Sequence, residues 1–312
     1  DCAPESPRGA TCYVTLEPCN HHGKTPPCTD ALIEAKVARV VIAVTDPNPN
    51  VTGQGIQRLR DAGITVDTNV MPEKARELIE TWAKWITTGK PFVVLKLAMS
   101  LDGHVATTTG DSRWISCKKS RWWTHKHLRM VLQGIMAGAG TVKCDNPSLT
   151  ARRGDVVVGA PVRLIVDRDG DAPVVSKVLN GSLPGNTIWI VPPQKIDELQ
   201  SKIPGKGVLL LPCPVNGPGF DLEHMMKALG TDHNIESILL EGGPTLAFSM
   251  LEAGQVDKVM VFVAPVLIGG QAAPAALGGP GFARLSDAPR LKNRSVRKIG
   301  VDVLIQGYPE IR

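Results

Sequence analysis

Short, predominantly apolar runs recur along the chain: RVVIAV (39–44), VRLIVD (162–167), TIWIV (187–191) and GVLLL (207–211). A strand that is apolar at every position has to be covered on both faces, which is the condition of a mainly parallel sheet layered with helices. The segments around these runs fit that demand. TCYVTL (11–16) reads as a strand and leads into a helical period over 28–37, entered through Pro26 and Pro27. RVVIAV is followed by a helix over 55–63, ended by Gly63, and by a strand over 64–70.

A longer helix over 72–88 has Pro72 at its start and Gly89 just past its end, and a domain boundary is placed there, giving domains 1–89 and 90–312. The pattern then begins afresh. A strand is expected within 91–103, a helix over 120–133, and a strand at GIMAG (134–138) before the runs at 162, 187 and 207. Helix 222–230, strand 237–243, helix 244–254, strand 258–265 and a last strand at 301–307 follow. Pro- and Gly-rich joints near 180–185, 204–207 and 212–219 read as surface loops.

Composition limits the function classes. With 43% apolar residues in 312, the chain can bury two ordinary cores. Its 35 Lys and Arg against 30 Asp and Glu leave a charge of +5 spread along the sequence, which suits phosphorylated small molecules and does not mark a nucleic-acid groove. Aromatic content of 4% gives no base-stacking platform. No apolar run is long enough to span a bilayer, and the opening DCAPESPRGA lacks a signal-peptide pattern, so a cytoplasmic protein is expected. Seven irregularly spaced cysteines suggest free thiols with one metal pair rather than a disulfide framework.

The stretch PCNHHGKTPPC (18–28) concentrates metal-binding residue types. Cys19 ends a strand and Cys28 opens a helix, whose N-terminus is expected to lower the thiol pKa toward the thiolate that zinc requires. An eight-residue loop can return one thiol to the other, although two cysteines at this spacing are also compatible with buried thiols.

The surrounding GATCYVTLEPCNHHGKTPPCTDALIEAKVARVV closely resembles the deaminase domain of the bifunctional riboflavin-biosynthesis deaminase/reductases. The resemblance implies that Cys19 and Cys28 are zinc ligands, that His21 and His22 are substrate-facing or loop residues, and that Glu17 is a structural support. It also implies a third ligand and a proton-shuttling glutamate in an upstream H-A-E motif. No histidine precedes His21. The expectation is therefore a cytidine-deaminase-like α/β layer present only in part, N-terminally truncated, with an incomplete zinc site and no deaminase activity in this chain.

Residues 94–307 resemble the reductase half of the same enzymes through KLAMSLDGHVA, GDSRWIS, GAGTVKCDNPSLTAR, LLEGGPTLAFSMLEAGQVD and APVLIGG. This implies a dihydrofolate-reductase-like α/β domain that uses NADPH. The cofactor would be held by Ala98, Trp114, Thr141, Asp145 and the run Gly243, Pro244, Thr245, Leu246, Ala247, Phe248 and Ser249. Ser112, Arg129, Leu149, Arg152 and Glu241 would hold a ribosyl-phosphate pyrimidine.

The residue types suit those roles. Gly242 and Gly243 permit close backbone approach where a helix begins, a place suited to an anion. Arg129 and Arg152 are forked donors for phosphate. Glu241 closes an apolar strand, where a carboxylate needs a partner. Lys96, Asp145 and Glu241 are the catalytic candidates, the first two as proton handlers, with a core ion pair as the alternative for them. Trp122 and Trp123 depart from a normally polar stretch and offer a surface to a partner subunit, and Val266 stands where a lysine is usual. Cys117 and Cys144 read as structural.

The expected function is NADPH-dependent reduction of 5-amino-6-(5-phosphoribosylamino)uracil to the ribitylamino compound, with deamination of its diamino precursor in the complete protein. Two rivals stay open: a reductase whose degenerate N-terminal domain only supports folding or a homo-oligomer, and a structural zinc-binding interaction module. A nucleic-acid deaminase is opposed by the spread charge and the fused reductase.

Overall fold

The apolar runs at 39, 162 and 187 become inner strands of parallel sheets and the run at 207 an edge strand, in two units comprising residues 1–89 and 90–312. The computed structural model describes residues 6–23, 25–203 and 206–310. No helix among them is long and apolar enough to cross a membrane.

In the first unit β1 (Thr11–Leu16), β2 (Arg39–Val44) and β3 (Thr65–Asp67) form a parallel sheet with β2 in the centre. Val40 and Ile42 of β2 are fully buried, with Val37, Ile56, Leu59 and Ile64 around them. Helices α1 (Cys28–Glu34), α2 (Gln54–Asp61) and α3 (Pro72–Thr88) alternate with the strands. Helix α1 stops three residues short of the expected end, and Lys36 beyond it takes a positive φ of 54°. The strand expected over 64–70 shortens to β3, because residues 68–71 form the approach to α3.

Glu17 is buried and caps the start of α2. Its Oε2 accepts the N–H groups of Asp46 (3.1 Å) and Gly53 (3.0 Å), and its Oε1 those of Gly55 (3.0 Å) and Ile56 (3.2 Å). A carboxylate satisfies the orphan donors of a helix N-terminus and complements its dipole. A Cβ on Gly55 would lie 1.9 Å from the Pro18 carbonyl oxygen, so only glycine fits this close approach.

The second unit begins with β4 (Phe92–Ser100), then α4 (Lys118–Thr124), which passes directly into a π-helical segment, His125–Arg129. Strand β5 (Gly134–Gly138) runs into α5 (Ala139–Asp145), followed by a hairpin of β6 (Ala151–Arg153) and β7 (Val156–Gly159). Next come β8 (Val162–Val166), β9 (Thr187–Val191), α6 (Ile196–Gln200), β10 (Val208–Pro212) and a small hairpin of β11 (Val215–Asn216) and β12 (Gly219–Phe220). Helix α7 (Leu222–Thr231), β13 (Ser237–Leu240), α8 (Pro244–Glu252), β14 (Lys258–Ala264), β15 (Arg290–Ile299) and β16 (Asp302–Glu310) complete the unit.

Nine of these strands form one sheet in the order β10-β9-β8-β5-β13-β4-β14-β16-β15, parallel from β10 to β14 and antiparallel beyond. Alternation sends side chains to two cores. Phe92, Val94, Ile135, Ile165, Trp189, Leu239 and Phe262 fill one, and Val93, Leu95, Met136, Leu164, Ile188 and Leu240 the other. Each such burial contributes about 1.5–3 kcal/mol.

Two features depart from expectation. The helix predicted over 120–133 is α4 and the π segment, ending at Arg129. Strand β15 was not expected, because Arg290, Lys292, Arg294, Arg297 and Lys298 interrupt any apolar alternation. It lies at the sheet edge, where charged side chains disfavour further pairing.

Candidate functional site

Glu241 is the residue after β13, and its N–H donates to the Met136 carbonyl at 3.0 Å, extending the ladder to β5 by one step. Alternation places its side chain on the face of Leu239, where Lys96 projects from the adjacent β4. Oε1 accepts from Lys96 Nζ at 3.0 Å, and Oε2 from Arg129 Nε (2.9 Å) and Nη2 (2.8 Å). The three side chains are only 14–17% exposed. Burial alone would raise the carboxyl pKa. The charges of Arg129 and Lys96 and their hydrogen bonds outweigh it and hold the group down at about 2.

Arg129 leads outward from this pair. Its Nη1 donates to the Thr150 carbonyl at 3.0 Å, and the Thr150 hydroxyl accepts Nε of Arg152 at 3.1 Å. Thr150 is fully buried, and Leu149 beside it is 3% exposed with a φ of +46°. His125, one π turn before Arg129, accepts the Arg152 backbone N–H on Nδ1 at 2.9 Å. Burial, then the positive charge of Arg129, lower its pKa to about 4. Arg152 has no carboxylate partner among the described residues. Sequence reasoning named Leu149, Arg129, Arg152 and Glu241 but missed Thr150 and His125. The only available signal was the four-residue spacing from His125 to Arg129.

The cofactor candidates gather at the carboxyl ends of neighbouring parallel strands, where open α/β sheets bind their ligands. Strand β5 turns into α5 and β13 into α8. Gly242 and Gly243 have φ of +105° and +82°, and a Cβ on Gly242 would sit 3.1 Å from Thr141 Cγ2. Thr141 therefore faces the Gly-Gly turn directly, and the first turn of α8 begins there with Pro244. Thr245 is exposed, and Leu246 and Ser249 are half-buried. Ala247 and Phe248 are each 2% exposed, so their contribution is to seat the first turn.

The remaining candidates are more scattered. Ala98 lies two residues beyond Lys96 on the same face of β4, and Ser112 is half-buried. Trp114 is 69% exposed, with the Arg121 guanidinium 4.3 Å above its ring. Asp145 is exposed at the end of α5, while Lys96 is paired with Glu241.

In the first unit the loop does bring the two thiols together: the Cys28 N–H donates to Cys19 Sγ at 3.3 Å. The expected lowering of the Cys28 pKa is corrected. The hydrogen bond with Cys19, followed by burial and the charge of that neighbour, raises it. His21 and His22 are exposed. Among the described residues no cluster of three or more His, Cys, Asp or Glu forms a metal set, so these residues alone do not supply the three ligands of a catalytic zinc.

A family model described as the RibD C-terminal domain matches residues 91–305. The chain belongs to the RibD family. The riboflavin biosynthesis protein RibD of Aquifex aeolicus is 40% identical over 303 residues, covering 97% of this chain and 82% of the relative. That of Escherichia coli K12 is 38% identical, with 97% and 83% covered. Among solved structures, RibD of Acinetobacter baumannii superposes with a TM-score of 0.81 at 34% identity, over 97% of this chain and 82% of that one. The Thermotoga maritima structure, described as a diaminohydroxyphosphoribosylaminopyrimidine deaminase/5-amino-6-(5-phosphoribosylamino)uracil reductase, gives 0.82 at 34% identity, over 98% and 81%. The dihydrofolate-reductase-like α/β domain expected from the sequence is thus the RibD reductase fold, and a RibD-family chain is an enzyme of riboflavin biosynthesis with oxidoreductase activity.

Proposed function

We propose that residues 90–312 reduce 5-amino-6-(5-phosphoribosylamino)uracil to its ribitylamino product with NADPH. The observation that carries this reading is Glu241, held ionised between Lys96 and Arg129 on the same carboxyl-terminal sheet edge as the Gly242–Gly243 turn against Thr141. That turn is a cradle a side chain would fill, and it fits a pyrophosphate-bearing cofactor at the α8 N-terminus. When bound, NADPH supplies the hydride.

The chain's own residues position and charge the substrate. Arg152, without a carboxylate partner among the described residues, and Arg129 provide cationic donors for its phosphate. Glu241 accepts hydrogen bonds from substrate hydroxyl or amino groups. Lys96 Nζ, oriented by Glu241, donates a proton toward the ribose ring oxygen as the ring opens. Asp145, exposed at the end of α5, is a second proton-handling candidate.

A reading for the N-terminal unit rests on the convergence of Cys19 and Cys28, which supports a zinc pair as part of a deaminase site. Since the described residues do not complete that set, no chemical step is derived from it.

The deciding experiment is NADPH oxidation by the purified chain, offered the deaminated substrate and, separately, its diamino precursor, with ammonia assayed. Oxidation with the deaminated compound alone supports a reductase beside an inactive deaminase site. Oxidation with both, with ammonia released, adds the deaminase. No oxidation with either overturns the reading.

A further inference from the structure

Among the described residues His125 takes part in no ion pair, yet it is bonded to the segment that bears Arg152. A backbone N–H can only donate, so the Arg152 N–H at 2.9 Å fixes Nδ1 as the lone-pair nitrogen and places the ring proton on Nε2. The ring lies in the same π turn as Arg129, which is tied to Glu241 on one side and to the Thr150 carbonyl on the other. Thr150 also accepts Arg152 Nε. The two arginines are therefore held by two bridges, one through Thr150 and one through the imidazole. The β6–β7 hairpin pairs Arg152 with Val157, and the imidazole is what ties that hairpin's Arg152 backbone to the segment bearing Arg129.

We infer that His125 is a positioning residue: as a neutral acceptor it sets the spacing of Arg129 and Arg152 and so tunes affinity for the phosphate end of the substrate. This rests on the proposed reductase function. The charged groups around the ring are Arg129 on its own helical segment, Arg152 from β6, Glu241 after β13 and Lys96 from β4. Three of the four are cations, which disfavour an imidazolium and keep the acceptor available at neutral pH.

The test compares wild type with His125→Leu, which removes the acceptor, and His125→Asn, whose Oδ1 can stand where Nδ1 stands. Leucine should raise KM for the phosphoribosyl substrate roughly tenfold, the cost of stranding one part-buried donor, with kcat and the KM for NADPH changed by less than about twofold. Asparagine should recover most of that loss. A KM unchanged in the leucine variant, a loss confined to kcat, or no recovery with asparagine would each overturn the inference.

A wild-type enzyme that turns over no substrate defeats the reductase reading instead. The positioning role is then decided by inorganic phosphate titrated against labelled protein and followed at Arg152 Nε. Affinity weaker in the leucine variant and restored by asparagine sustains it, and equal affinity in all three proteins removes it.

Discussion

Lys96 and Glu241 stand on neighbouring parallel strands with ammonium and carboxylate 3.0 Å apart, and the second oxygen of that carboxylate is held by Arg129. The arrangement leaves one cation of each kind on a single carboxylate. Glu241→Ala strands both and should cost about 3–5 kcal/mol of stability, visible as a lower Tm. Lys96→Met leaves the Glu241–Arg129 pair intact and should keep the fold while lowering kcat about 100-fold or more. A Lys96→Met enzyme with near-wild-type kcat would remove the lysine from proton transfer.

Two groups of the site give stability an acid limit. The Glu241 carboxyl is depressed to about 2, so its stabilising effect is complete above the ordinary carboxylate range near 4.5 and fades as pH falls toward 2. The His125 imidazole is depressed to about 4, so the fold binds fewer protons than the unfolded chain between 4 and 6.5. Denaturant midpoints should therefore rise with pH over 4 to 6.5, and the rise should flatten in His125→Asn. An equal slope in both proteins would place the acid sensitivity elsewhere.

The Gly-Gly turn predicts a specific coupling. Gly242→Ala forces a side chain to φ +105° and against Thr141 Cγ2 at 3.1 Å. A cost of about 1–3 kcal/mol is expected, together with a KM for NADPH raised more than the KM for the phosphoribosyl substrate. Thr141→Ser removes the opposing methyl, and in the double variant part of both effects should return. Additive losses in the double variant would show that strain rather than contact dominates.

Cys28 titrates above an ordinary thiol because Cys19 engages it. Iodoacetamide should modify Cys28 slowly at neutral pH, and Cys19→Ala should shift its labelling curve to lower pH, read residue by residue through peptide mass spectrometry. An unmoved curve would mean that the two thiols are not coupled in solution.

What the sequence made legible depended on how far apart the interacting residues are. Val40, Ile135, Ile165 and Ile190 could be assigned to buried strands because an unbroken aliphatic run has only one economical environment. Glu241 stood out because a carboxylate at the end of such a run demands a partner, and Lys96 and Arg129 supply it. Thr150 and His125 carried no local mark beyond the His125–Arg129 spacing, since their roles come from a hairpin folding back on a helix 21 to 27 residues away. The rise in the Cys28 pKa was hidden for the same reason: the helix start is local, and the neighbouring sulfur is not. Strand β15 escaped because a row of basic side chains on an edge has no apolar period to detect.

The π segment before β5 holds a further consequence. Each residue of an α-helix advances about 100° around the axis, whereas the wider turn of His125–Arg129 absorbs a residue without that advance. Arg129 owes its azimuth to this slack. Removing exposed Lys126 would let the segment tighten into ordinary helix and swing the guanidinium away from Glu241, so the angular phase of one helix, rather than its composition, decides whether the carboxylate has its second cation.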